Sequence, residues 1–257
     1  MPLQFLLPYE PVVFGYHLNV HLILEYLAFF IGFRYYVILR KNSNDTISSL
    51  NRLSILIGAI FGALFMSRLI GFLENPPLHA TQGFIAIVNN KTIMGGLFGG
   101  LLGVEIAKRI IGEKTSSGDL FTLPIIVGII IGRIGCFLSG TKEFTYGVQT
   151  SSVFGLNLGD GVLRHPVALY EIVFLVLLFI ALKTHQNKKI KVENGSYFKF
   201  FMVSYFFFRF CIEFLKPNEF LILGLSSIQY LCVICFLYYF KFICKTLIYV
   251  AKKLHLL

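Results

Sequence analysis

The chain has 257 residues, is 56% hydrophobic and only 14% charged, and has a mean hydropathy of +0.75. That apolar content excludes a disordered chain and is far from the charged share of about 25% that soluble domains carry. The formal charge of +10 does not indicate nucleic acid, because the basic residues lie between apolar runs rather than along one face.

The apolar runs are continuous, not alternating, which favours membrane-spanning helices over a β-barrel. Windows of about 19 residues predict seven spans, at 17–39, 53–73, 92–111, 121–138, 167–183, 198–215 and 224–244. The fold class is therefore all-α, a polytopic integral membrane protein with about seven transmembrane helices. The whole chain, 1–257, reads as a single transmembrane domain.

Charge orients it. The first, third and fifth loops and the C-terminal end hold fifteen Lys and Arg, among them Arg40, Lys41, Arg109, Lys188, Lys245 and Lys252. The N-terminal segment and the other loops hold four, Lys91, Lys142, Arg164 and Lys216. The positive-inside rule places the N-terminus outside and the C-terminus in the cytoplasm. The longest loop, 139–166, then faces outward and is rich in Gly, Ser and Thr, which suits an ordered functional segment. No cleavable signal peptide is expected, since no basic residue precedes the first apolar run. The five cysteines lie in apolar surroundings, and Cys232 and Cys235 read as small packing residues.

Ionisable residues inside spans cost about 2.5–3.5 kcal/mol each on insertion scales and mark function by default. Here they are Arg34, Arg68, Arg133, Arg209, Glu25, Glu105, Glu171 and Glu213, joined by His17 and His21. With the orientation above, all but Arg34 and Glu105 fall in one layer below the outer surface. Arginine presents a planar fork of donors that matches phosphate oxygens. An Arg-lined layer at headgroup depth predicts a site for an anionic phospholipid. Individual pairs such as Arg209 and Glu213, at i and i+4, also fit simple ion pairing.

His17, His21 and Glu25 share a helical face at i, i+4 and i+8. Two His and a distant carboxylate make a poor metal site, so no metal is expected and a substrate contact is preferred. Gly95, Gly96, Gly99, Gly100 and Gly103 form small-xxx-small patterns that suit close helix packing. Gly95 and Gly96 could also admit a headgroup against the backbone. The densest constellation is Gly132-Arg133-Ile134-Gly135-Cys136, then Gly159-Asp160-Gly161, then Arg164-His165-Pro166 with Tyr170 and Glu171. Pro166 suits the first turn of a helix.

At these residues the chain resembles the bacterial prolipoprotein diacylglyceryl transferases. The resemblance rests on Gly-Arg-Ile-Gly at 132–135, on His165-Pro166 followed by Leu169-Tyr170-Glu171, and on Arg209 to Phe214, RFCIEF. Arg68 to Gly71 and Gly95-Gly96-Leu97 match more loosely. The resemblance implies transfer of a diacylglyceryl group from phosphatidylglycerol to the lipobox cysteine of a prolipoprotein, with release of glycerol phosphate. It implies partners limited to phosphatidylglycerol, prolipoprotein signal peptides and the lipid bilayer. It also implies no cofactor and a multi-pass protein of the bacterial cytoplasmic (inner) membrane.

Carried over by motif, Arg133 and Arg209 face the phosphate and Glu213 orients Arg209. Tyr170 and Glu171 shape the headgroup pocket. Arg68, Gly95, Gly96, Cys136, Arg164, His21 and Glu25 complete the substrate contacts. The family usually has Asn where this chain has Cys136, a His where it has Met94, and an Arg where it has Lys216. The absent His is a candidate base, so His165 is the first replacement, with His17 and His21 behind it. A paralogue with another acceptor, or without catalysis, is the alternative reading, and a transporter a more distant one.

Overall fold

The computed structural model describes residues 7–43, 45–74, 76, 90–188, 192–218 and 221–253. It is mostly helical. Among the described residues its helices include α1 (Val20–Lys41), α2 (Ser49–Glu74), α3 (Ile93–Ile111), α4 (Asp119–Leu138), α5 (Val167–Asn187), α6 (Ser196–Ile212), α7 (Ser227–Tyr238) and α8 (Phe240–Lys253). Each of the seven predicted windows coincides with a helix, except that the last is divided. Among the described residues four helices, α1, α2, α4 and α5, are long and apolar enough to cross a membrane, and a fifth span results if α7 and α8 are taken together. The helix α3 carries Glu105, Lys108 and Arg109, and α6 has 17 residues.

Two boundaries differ from expectation. Asn19 caps α1 by accepting a hydrogen bond from the Leu22 amide at 2.9 Å, so the helix begins at Val20. His17 therefore lies outside the helical face assigned to it. It sits in a short antiparallel hairpin, β1 (Val12–Val13) with β2 (Tyr16–His17), and is exposed. The predicted span 224–244 is bent by 67° between α7 and α8. Beyond the bend, Lys241, Lys245 and Lys252 fall on one side of α8, the pattern of a helix that is apolar on one face only.

The chain folds into two compact units. The first comprises Met1–Asn44, Gly118–Phe198 and Phe214–Pro217. In it α1 packs along α4, and α4 against α5. Close approach of α1 and α4 needs small residues: a Cβ at Gly32 would lie 3.3 Å from the Pro124 carbonyl oxygen, and one at Gly128 would lie 3.5 Å from that of Ala28. The outer faces of α1 and α5 stay apolar, with Tyr26, Phe29, Phe30, Leu177 and Ile180 exposed. Water would not favour such a surface, and lipid does.

The 139–166 segment of this unit is ordered. It holds a 3-10 turn (Gly140–Lys142) and a hairpin, β3 (Leu156–Asn157) with β4 (Leu163–Arg164), in the register Leu156 to Arg164. The Thr141 amide donates to the Leu158 carbonyl at 3.1 Å, and the Tyr9 amide to that of Leu138 at 2.8 Å. Glu10 pairs with Lys142. These bonds fix the loop over the end of α4.

The second unit comprises Asp45–Ser117, Lys199–Glu213 and Asn218–Leu257. Its centre is the α2–α3 pair. A side chain at Gly62 would collide with the Gly99 carbonyl, and one at Gly103 with that of Gly58. The glycines thus bring two backbones into contact, as their spacing predicts. Arg52 pairs with Asp45 at 2.7 Å and also donates to the Ser117 carbonyl. Phe201, Met202, Tyr205 and Phe206 of α6 are fully buried.

Candidate active site

The last turn of α4 and the start of α5 carry the chemistry of the first unit. Arg133 and Glu171 are both buried, and Arg133 Nε donates to Glu171 Oε1 at 2.7 Å. A charged pair removed from water needs this contact, since either partner alone would be strongly disfavoured. The pair holds the guanidinium so that Nη1 lies 3.7 Å from Cys136 Sγ, one turn further along α4.

Cys136 Sγ also lies 3.6 Å from His21 Nε2. On the opposite side of the ring, His21 Nδ1 is 3.5 Å from Glu143 Oε1. Gly135 makes room for this imidazole, because a Cβ there would stand 3.3 Å from His21 Cα and Cδ2. Five side chains are thereby joined: Glu171, Arg133, Cys136, His21 and Glu143. Cys136 borders a small cavity also lined by Thr145, Tyr146, Pro166 and Ala168. Glu25 follows His21 by one turn on α1 and is half-buried. Glu143 matches the Glu that the family has after this segment only with a two-residue insertion, and its partner, His21, is far away in sequence.

His165 is set by the backbone. Its amide donates to the Val148 carbonyl at 3.1 Å, and its own carbonyl accepts from the Gly147 and Val167 amides. His165 Nδ1 lies 3.1 Å from the Tyr170 hydroxyl. Tyr170 and Glu171 are consecutive residues of the first turn and a half of α5. Arg164 is engaged elsewhere: its Nε donates to Asp160 at 2.6 Å, and its guanidinium lies over the Tyr146 ring at 5.0 Å. This contact holds the Asp160 carboxyl below its ordinary range. Lys216, at the position where the family has Arg, places Nζ 5.1 Å from the centre of the Phe144 ring.

In the second unit Arg209 Nη2 donates to Glu213 Oε2 at 3.0 Å, both side chains being buried. The Asn218 amide donates to Glu213 at 3.2 Å, and Gln229 donates to the Phe210 carbonyl. Arg68 is half-buried and donates to the Leu64 carbonyl of its own helix at 3.4 Å. Gly95 is pressed against Met66 and Ser67 of α2, whereas a Cβ at Gly96 would meet only Ser67 Cβ, at 3.9 Å. Gly95 is thus occupied in packing. Met94 is buried. Among the described residues, no group of three or more His, Cys, Asp or Glu is placed to hold a metal ion.

Comparison with known proteins agrees with the site motifs. The family described as prolipoprotein diacylglyceryl transferase matches residues 11–244. Among curated relatives, the phosphatidylglycerol–prolipoprotein diacylglyceryl transferase of Campylobacter curvus is 29% identical over 89% of this chain and 90% of its own length. The enzyme of that name from the Wolbachia of Brugia malayi is 29% identical over 71% of this chain and 69% of its own. That from Nitratidesulfovibrio vulgaris is 33% identical over 65% and 62%. With a match that spans most of its length and includes both buried Arg–Glu pairs, this chain belongs to the prolipoprotein diacylglyceryl transferase family.

Proposed function

We propose that this chain transfers the diacylglyceryl group of phosphatidylglycerol to the lipobox cysteine thiol of a prolipoprotein. The bond between the glycerol carbon and the phosphate oxygen breaks, a thioether forms, and glycerol phosphate leaves. The observation that carries this reading is the buried Arg133–Glu171 pair within a family match over residues 11–244. A fixed guanidinium stabilises the charge that grows on a departing phosphate without reorganising during the reaction.

Arg209, held by Glu213, is the second phosphate-facing cation in this reading. Arg68, Gly96, Arg164 and Glu25 serve the headgroup and the acceptor peptide, and the outward-facing 139–166 loop carries part of the site. His165 is the base that takes the acceptor thiol's proton. Its Nδ1 is occupied by Tyr170, which leaves Nε2 for the substrate, whereas His21 Nε2 already faces Cys136. The protein is a seven-span protein of the bacterial cytoplasmic membrane, with its N-terminus outside and its C-terminus inside.

Met94, buried where the family has a His, favours a second reading in which the acceptor differs. Expression in a bacterium depleted of its own transferase separates the two. Restored lipoprotein processing, lost again in Arg133→Ala, supports the first. Unprocessed lipoproteins beside a folded, membrane-inserted protein support the second.

A further inference from the structure

The transfer described above assigns no proton transfer or bond change to the chain of groups behind Arg133. Cys136 Sγ, His21 and Glu143 stand in the order thiol, imidazole, carboxylate, with separations of 3.6 Å and 3.5 Å. That order is the arrangement of an activated nucleophile: a thiol, a base within reach, and a third group orienting the base. Reactive cysteines also sit beside a cation, and Arg133 Nη1 is 3.7 Å from the sulfur. The backbone provides for the contact, since Gly135 admits the His21 ring where any side chain would crowd it. Cys136 also borders the small cavity above α4.

Resting on the reading that Arg133 holds the phosphate of phosphatidylglycerol, we propose that Cys136 is itself a diacylglyceryl acceptor. Its sulfur attacks the glycerol carbon that bears the phosphate, and the thiol proton passes to His21 Nε2. The carbon–oxygen bond breaks with its electron pair going to the phosphate, and glycerol phosphate departs. One thioether forms on Cys136 and no further reactant is consumed. The carbon attacked is the one bonded to a phosphate oxygen, because Sγ and the phosphate share the same guanidinium, whereas the acyl carbonyls lie further along the lipid. A thioether does not turn over, so each chain takes one group and then stops. The internal thiol thus competes with the lipobox peptide and marks enzyme left without an acceptor.

The test uses the full chain in phosphatidylglycerol vesicles without peptide, followed by intact mass and by mapping of the modified residue. The expected result is a gain of one diacylglyceryl group on Cys136, matched by released glycerol phosphate and stable to hydroxylamine. Cys136→Ser abolishes the gain, His21→Ala slows it about a hundredfold, and Cys211→Ser retains it. Thermal unfolding of each variant establishes that it is folded, and Cys136→Ala replaces a Cys136→Ser protein that is not. An unmodified Cys136 under conditions where a lipobox peptide is lipidated overturns the proposal and leaves the transferase reading standing. A gain removed by hydroxylamine is a thioester and overturns it equally. If neither peptide nor chain is modified by folded protein, both readings fall.

Discussion

Arg133 and Glu171 lie 38 residues apart in sequence and meet at 2.7 Å with both side chains buried. The contact joins the end of α4 to the first turns of α5, so it is a packing element as well as a site element. Removing one partner leaves an uncompensated charge, which costs about 3–5 kcal/mol. Glu171→Ala is therefore expected to lower the unfolding midpoint in detergent sharply, and adding Arg133→Met to Glu171→Ala to recover part of it. An unchanged midpoint in Glu171→Ala contradicts this account of the pair.

The glycine contact between α2 and α3 predicts a graded response. A methyl at Gly62 meets the Gly99 carbonyl oxygen, whereas one at Gly100 meets its nearest atom, the Ala59 oxygen, at 3.6 Å. Gly62→Ala should destabilise by about 1–3 kcal/mol, and Gly100→Ala should be nearly neutral. Thermal unfolding of the two variants side by side checks this, and equal effects would refute it.

Much of the helical framework was legible because apolar runs of span length are long signals. The start of α1 was not, although Asn19 offered a cap, since the apolar pattern continues back through His17. The bend before α8 was hidden for the same reason: the apolar run passes through Tyr239, and only the lysine stripe of α8 distinguishes it. In the site, Arg133, Glu171, Arg209 and Glu213 were readable as charges that apolar helices should not carry. The pairing of Arg133 with Glu171, rather than with a nearer residue, depends on how α4 packs on α5. Glu143 was less legible, because it fits the family pattern only with a two-residue insertion and its partner, His21, lies on the distant helix α1.

Asp160 and Arg164 give the outer loop a pH dependence. The hydrogen bond from Arg164 holds the Asp160 carboxyl below its ordinary value of 3.8. A depressed carboxyl contributes order that is complete above that ordinary value and is lost as pH falls through the lowered one. The pair is partly exposed, so its contribution is less than about 1 kcal/mol. Hydrogen exchange at the Val162 amide, which donates to Asp160 at 3.2 Å, should speed up in Asp160→Asn relative to the native chain well above this range. At acidic pH the two should converge. Equal protection at all pH values would contradict the assignment.

The proposed orientation predicts which ends of the chain reach the cytoplasm. A fluorescent protein fused after residue 257 should fold and fluoresce. A periplasmic phosphatase inserted near residue 154, in the 139–166 loop, should be active. The reverse pattern would overturn the positive-inside reading and place the Arg133 cluster at the opposite surface.

The two imidazoles of the first unit are expected to separate by role. His165→Ala should reduce peptide lipidation by about a hundredfold or more while lipid binding persists. His21→Ala should chiefly affect modification of Cys136. A His165→Ala protein of full activity would remove it as the base.

The central claim is tested most directly by a transfer assay on the purified chain in phosphatidylglycerol vesicles, with a lipobox peptide as acceptor. Glycerol phosphate release and the peptide's mass gain are followed together for the native chain, Arg133→Ala and Arg209→Ala. Equal release and mass gain in the native chain, both lost in the two variants, is the predicted result. Absence of both from a folded native chain that still binds phosphatidylglycerol would contradict it.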